Sequence, residues 1–174
     1  MIPRADACRP GRYAFVAMVI AVGLCGCASH GPAALILGDT RGAAEALLGK
    51  PTAEFMTADG GHRLEYAGGT FARRTYMLDF DAAQRLLRWE NVLDEAHFQA
   101  IHPGLTQREL RERLGPPARV WSVHYRNQTV WSYRFETPFC QVFHVGLTPA
   151  GRVEDTSYGP DPLCDGEDLR KRRR

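Results

Sequence analysis

The stretch Gly104-Leu105-Thr106-Gln107-Arg108-Glu109-Leu110-Arg111-Glu112-Arg113-Leu114-Gly115-Pro116-Pro117 specifies a helix at both of its ends. Thr106 and Glu109 have capping-box spacing: the threonine hydroxyl accepts from the Glu109 amide, and the glutamate carboxylate accepts from the Thr106 amide. Leu105 and Leu110 bracket the cap as a hydrophobic staple, and Leu110 and Leu114 share one helical face. Gly115 supplies a left-handed stop, and Pro116 and Pro117 bar continuation. The pattern predicts a helix from about Gln107 to Leu114.

Upstream, Asp94 can cap another helix running through His97 and Phe98 to Ile101, with Leu93 and Phe98 as its staple. Pro103-Gly104 turns the chain between the two, which predicts a helical hairpin. Downstream the period changes to two. Trp131, Tyr133 and Phe135 alternate with Val130, Ser132 and Arg134, and Phe143, Val145 and Leu147 alternate with Val142 and His144. Thr148-Pro149-Ala150-Gly151 is turn chemistry leading into Arg152-Val153, and Trp121 to Tyr125 is a further candidate strand.

The same layout occurs earlier in the chain. Shifted by 66 residues, Gly38, Thr40, Leu48, Gly49 and Pro51 fall on Gly104, Thr106, Leu114, Gly115 and Pro117. One further residue of shift aligns Tyr66 with Tyr133 and Arg85 with Arg152. In this first copy the helix spans Thr40 to Leu48 without a capping box, because Ala43 stands where the carboxylate would be, and the helix before Gly38 is reduced to Ala34 to Leu37 at most. Strands are expected at His62 to Tyr66, Thr75 to Phe80 and Arg85 to Trp89. The expected fold class is α+β: two tandem units of a short helical hairpin followed by a three- to four-stranded antiparallel sheet, the first unit degraded. The expected divisions are a signal peptide at 1–26, a lipidated tether at 27–34, a first repeat at 35–91, a second repeat at 92–160, and a C-terminal segment at 161–174.

The two ends carry much of the basic charge. Of the 22 lysines and arginines, three lie in the first 26 residues and five are the run Arg170 to Arg174, leaving 14 against 19 acidic residues between Cys27 and Leu169. A mildly acidic interior lacks the clustered basic footprint of a nucleic-acid groove, so no nucleic-acid partner is expected. Arg4, Arg9 and Arg12 precede an apolar run from Tyr13 to Leu24, the length of a signal-peptide core and too short for a bilayer of about 30 Å. The run ends in Leu24-Cys25-Gly26-Cys27, which resembles the bacterial lipobox, with cleavage before Cys27. That resemblance implies a diacylglyceryl group on the Cys27 thiol and a third acyl chain on its new amino group. Each buried methylene contributes about 0.8 kcal/mol, so several chains anchor stably. Ala28 and Ser29 follow the cysteine, and the absence of an aspartate there favours the periplasmic face of the outer membrane in enterobacterial-type sorting.

The run Phe98-Gln99-Ala100-Ile101-His102-Pro103-Gly104-Leu105-Thr106, with Leu110, Leu114-Gly115 and Pro117, resembles the pattern of the BamE (SmpA/OmlA) lipoprotein family. Tandem repetition of such a unit is similar to the β-lactamase inhibitory protein fold. The resemblance implies a role in outer-membrane protein assembly or envelope upkeep. The partners it implies are envelope proteins, among them the outer-membrane β-barrel assembly machinery, with the membrane reached through the lipid. Its residues are caps, turns and core, so it speaks to fold more than to function.

Chemistry-bearing residues are sparse. Cys8 and Cys25 would leave with the signal, and in an oxidising compartment the remaining pair, Cys140 and Cys164, is expected to form a disulfide. His144 lies four residues beyond Cys140, an interval that on a strand spans about 13 Å and disfavours a nucleophilic pair. His62, His97, His102, His124 and His144 have no metal-ligand spacing, and Asp79-x-Asp81 reads as turn chemistry rather than a calcium site. No phosphate loop, nucleophile elbow or zinc-protease motif is present. We therefore expect no catalytic residue, no metal and no cofactor. The aromatic series Trp121, Tyr125, Trp131, Tyr133, Phe135, Phe139 and Phe143 reads mostly as core by its alternation, and the expected function is that of an interaction module using an exposed part of it, with a candidate face of Trp121, Tyr125, Trp131 and Tyr133. The alternative is an inhibitor-like or ligand-binding periplasmic protein.

Overall fold

The computed structural model describes residues 31–164. The expected signal peptide, Cys27 and the run Arg170 to Arg174 lie outside the described residues. The chain forms α1 (Arg41–Leu48), β1 (Ala53–Met56), β2 (His62–Ala67), β3 (Thr75–Phe80) and β4 (Leu86–Asn91). It continues through α2 (Glu95–Gln99), α3 (Gln107–Leu114), β5 (Arg119–Val123), β6 (Gln128–Arg134), β7 (Gln141–Leu147) and β8 (Val153–Pro160). The class is α+β, with two four-stranded antiparallel sheets ordered β1-β2-β3-β4 and β5-β6-β7-β8. Among the described residues no helix is long and apolar enough to cross a membrane.

α3 starts and stops where its sequence dictates. The Thr106 hydroxyl accepts from the Glu109 amide at 3.1 Å, and the Glu109 carboxylate accepts from the Thr106 amide at 2.7 Å. Gly115 closes the helix at φ 78°, a conformation that costs other residues strain. In α1 only one half of that device remains, the Thr40 hydroxyl accepting from the Ala43 amide at 3.2 Å.

The chain stacks its layers as α1, first sheet, α2 with α3, second sheet. Ala44 of α1 and Leu35 pack on Leu64, Leu78, Phe80 and Leu86 of the first sheet. Leu110 and Leu114 of α3, with Phe98, Ile101 and Leu105, pack on Trp131, Tyr133, Phe143, Val145 and Leu147 of the second. Phe98 stacks on Phe143 with ring centroids 4.2 Å apart and meets Phe135 edge-on at 5.1 Å. The other side of α3 faces the first sheet. Arg111 donates to Glu65, which is fully buried on β2, and its guanidinium lies 5.9 Å from the Phe55 ring centroid. A Cβ on Gly115 would sit 2.7 Å from Thr75 Cγ2, so a glycine is required there by proximity as well as by backbone angle.

Four expectations need correction. Pro32–Ala34, expected in the tether, is a short 3-10 turn with Pro32 buried, because Leu35 behind it anchors in the first core. Strand β1 was not expected: its four residues, Ala53 to Met56, are half-exposed and carry no run of β-branched side chains. The expected strand from Trp121 to Tyr125 begins earlier, at Arg119, and His124–Arg126 turn instead, with Asn127 left-handed at φ 49°. Asp161, assigned to the C-terminal segment, is buried against the second sheet.

Candidate functional site

Alternation along a strand divides side chains between two faces. On β6, Trp131 and Tyr133 point into the helices and are 8% and 0% exposed. Their place in the candidate interaction face is thereby corrected: the helices cover that side. Trp121 and Tyr125 of the same expected set are exposed, at 39% and 91%. The opposite face of the sheet carries Arg119 and Trp121 from β5, Val130, Ser132 and Arg134 from β6, and Val142 and His144 from β7.

Cross-strand register brings these residues together. Arg119 pairs with Ser132, Ser132 with His144, and Arg134 with Val142. The result is a groove of about 370 Å³ over the outer face of the second sheet, walled by Phe71 from the β2–β3 loop and by Pro162 and Leu163 beyond β8. Its walls are largely apolar and its floor is polar, the arrangement typical of a binding surface.

The floor is a connected network. Trp121 Nε1, which can only donate, gives a hydrogen bond to Ser132 Oγ at 3.1 Å. Ser132 Oγ is 2.8 Å from His144 Nδ1, so its own proton satisfies that nitrogen when the ring is neutral. Burial pushes the His144 pKa down, which favours the neutral form. The ring proton then belongs on Nε2, over Gly159, where a side-chain Cβ would come within 2.7 Å of that nitrogen. Beside this group the Arg134 guanidinium and Asp161 carboxylate form a buried ion pair, and Asp161 also accepts from the Leu163 amide at 3.0 Å. The pair fixes the C-terminal wall of the groove to the sheet.

A serine and histidine at hydrogen-bond distance invite comparison with a nucleophilic pair. Here the serine hydroxyl is held by an indole, Ser132 is only 5% exposed, and no carboxylate orients His144 among the described residues. The arrangement orders a surface. Among the described residues no cluster of three metal-ligating side chains occurs.

Cys140 and Cys164 are both thiols in this structure. Their side chains are in hydrogen-bond contact, which raises the Cys164 pKa to about 11. Asp161 donates its amide to the Cys140 carbonyl at 2.7 Å, so the two cysteines close the loop that carries the groove wall. Cys140 contacts Cys164 rather than His144.

Of the groove residues, the sequence pointed to Trp121 alone as part of an interaction face. The sequence reading weighs His144 only as a partner for Cys140 or a metal ligand, and assigns no site role to Ser132, Arg134, Asp161 or Phe71. A usable signal is that Val130 and Val142 directly precede Trp131 and Phe143, which makes both faces of β6 and β7 partly apolar.

No protein-family model and no curated protein sequence matches the chain. Among solved structures, the chain is similar to a DUF4309 family protein from Bacillus subtilis, at 15% identity over 70% of this chain and 78% of that one, with a TM-score of 0.30. It is also similar to an extracellular protein containing an SCP domain from Bacillus anthracis, at 6% identity over 92% of this chain and 50% of that one, with a TM-score of 0.31. Likeness at this level carries no argument about function.

Proposed function

We propose that this chain is a lipoprotein held to the periplasmic face of the outer membrane through Cys27, acting as a non-catalytic protein-interaction module in outer-membrane protein assembly or envelope maintenance. In this reading each half is a BamE-like unit, and α2, the Pro103-Gly104 turn and α3 are the helical hairpin of the second. The observation that carries the interaction role is the groove on the second sheet, an ordered, partly apolar surface with Trp121 on its rim. Exposed aromatic side chains beside a satisfied polar network are what protein interfaces use as anchors. Oxidation of Cys140 and Cys164 in the periplasm would lock the groove wall.

The test is affinity isolation of the native, lipidated protein from detergent-solubilised envelopes, beside Trp121→Ala and Cys27→Ala variants. The proposal expects specific envelope proteins with the native chain, barrel-assembly subunits among them. It expects their loss with Trp121→Ala, and loss of membrane retention with Cys27→Ala. Recovery of the same proteins with Trp121→Ala, or of none with the native chain, would remove the role assigned to the groove. Saturable binding of a small apolar ligand with no protein partner would favour the ligand-binding alternative, for which the polar floor of Ser132 and His144 is the supporting feature.

A further inference from the structure

The first sheet already shows what such a face can hold. Its outer side, formed by Phe55, Glu65, Thr75 and Met77, receives α3 of the second unit through Arg111 and Gly115. The register there is Ala53 opposite Glu65, Glu65 opposite Met77, and Ala67 opposite Thr75. In the second sheet the register is Arg119 opposite Ser132, Ser132 opposite His144, and Arg134 opposite Val142. The repeat shift carries each member of the first set onto its counterpart in the second, and carries Phe55 onto Trp121. The groove is therefore the positional equivalent of a helix-binding face that is filled inside the same molecule.

We infer that the outer face of the second sheet receives an amphipathic helix of a partner protein, seating a bulky apolar side chain between Trp121 and Val142 and setting a carboxylate against Arg119. This rests on the interaction reading above. Continuity with the internal joint specifies the helix, and a reversal of charge specifies its chemistry. In the internal joint a buried Glu65 on the sheet meets Arg111 on the helix. In the second sheet Ser132 takes the place of that carboxylate, and two alanines, Ala53 and Ala67, are replaced by Arg119 and Arg134. Asp161 neutralises Arg134, whereas Arg119 has no ion-pair partner among the described residues. A cationic rim beside an apolar wall selects an acidic helix and disfavours a basic one.

The experiment is site-specific photo-crosslinking in intact cells, with p-benzoylphenylalanine incorporated at Phe71, an exposed aromatic on the groove rim. The crosslinked segment of the partner is then mapped by mass spectrometry. The inference expects an adduct within a helix that bears Asp or Glu. It expects a yield at least fivefold lower when Arg119→Glu is added, and a yield largely retained with Arg119→Lys. Circular-dichroism melts of the three proteins should coincide, since Arg119 is exposed. An adduct to a loop or strand of a protein, to lipid, or to a second copy of this chain overturns the inference. If affinity isolation still yields a Trp121-dependent partner, the interaction reading stands without the helix. If neither experiment yields a partner, both fall.

Discussion

The two units share a frame down to single bonds. Thr40 and Thr106 precede their helices at φ −78° and −75°, and Gly49 and Gly115 end them at φ 83° and 78°. Each threonine bridges to an arginine, Arg85 in one unit and Arg152 in the other. Each arginine donates to the carbonyl of a glycine ahead of the helix, Gly38 at 3.3 Å and Gly104 at 3.0 Å. What differs is the content of the frame. The second unit encloses a core rich in aromatic side chains and has a capping box, whereas the first packs a smaller core, largely aliphatic around Phe80, and lacks the box. The outer face of the first sheet is occupied by α3, and that of the second is a groove. The shared residues set the fold, and the residues that diverge decide whether a face is a filled joint or an open groove.

The comparison is broken most severely at the joint. Arg111→Ala would leave Glu65 buried without its counter-charge, a loss of about 4 kcal/mol by analogy with broken buried pairs. At the matching position of α1, Glu45 makes an i,i+4 ion pair with Arg41 at 2.7 Å, and Glu45→Ala is expected to cost only about 0.4 kcal/mol. Urea unfolding of both variants measures the difference.

Next in size is the cysteine pair of the second unit, which has no counterpart in the first. Oxidation would close a loop of about 25 residues and stabilise by roughly 3 kcal/mol in the chain-entropy model. The oxidised protein should therefore melt higher than the Cys164→Ser variant, and non-reducing peptide mapping should recover residues 140 and 164 linked.

The helix caps give a smaller contrast. Thr106→Ala removes the hydroxyl that accepts from the Glu109 amide and donates to its carboxylate, leaving only the backbone half of the capping box, and should cost about 1.5 kcal/mol, against about 0.7 kcal/mol for Thr40→Ala. Smaller still is the turn before the fourth strand. Gln84 stands at φ 60° where the second unit has Gly151 at φ 70°. Gln84→Gly should stabilise by about 0.5 kcal/mol, and Gly151→Ala should destabilise by about 1 kcal/mol. Thermal melts resolve both signs.

The last contrast is one of pH. His144 takes the place of Met77, and burial holds its folded pKa below the unfolded value of about 6.5. The unfolded chain then takes up the proton first as pH falls. Its contribution to stability is complete above about pH 6.5 and is lost on acidification through that value toward the lower folded pKa. Unfolding titrations between about pH 7.5 and 5 should show this slope, and His144→Met should flatten it.

Much of the fold was legible because it is written locally. Thr106, Glu109, Gly115 and the alternation of Trp131, Tyr133 and Phe135 act through neighbouring backbone and through period. The faces were not legible. Alternation shows that β6 has two sides but cannot say which one the helices cover, so Trp131 and Tyr133 entered the candidate surface and Ser132 did not. Glu65 was equally hidden: a glutamate on a strand reads as solvent-facing until its arginine, 46 residues away, is placed against it. Arg111 was hidden in the same way, as one of five charged residues on α3.

The most direct measurement of the central claim is the yield of envelope proteins isolated with Trp121→Ala against that with Phe55→Ala, at a temperature where both remain folded. If the first sheet's face is an internal joint and the second's is a docking surface, Trp121→Ala lowers the yield at least tenfold, whereas Phe55→Ala leaves it unchanged. An undiminished yield with Trp121→Ala would contradict the account.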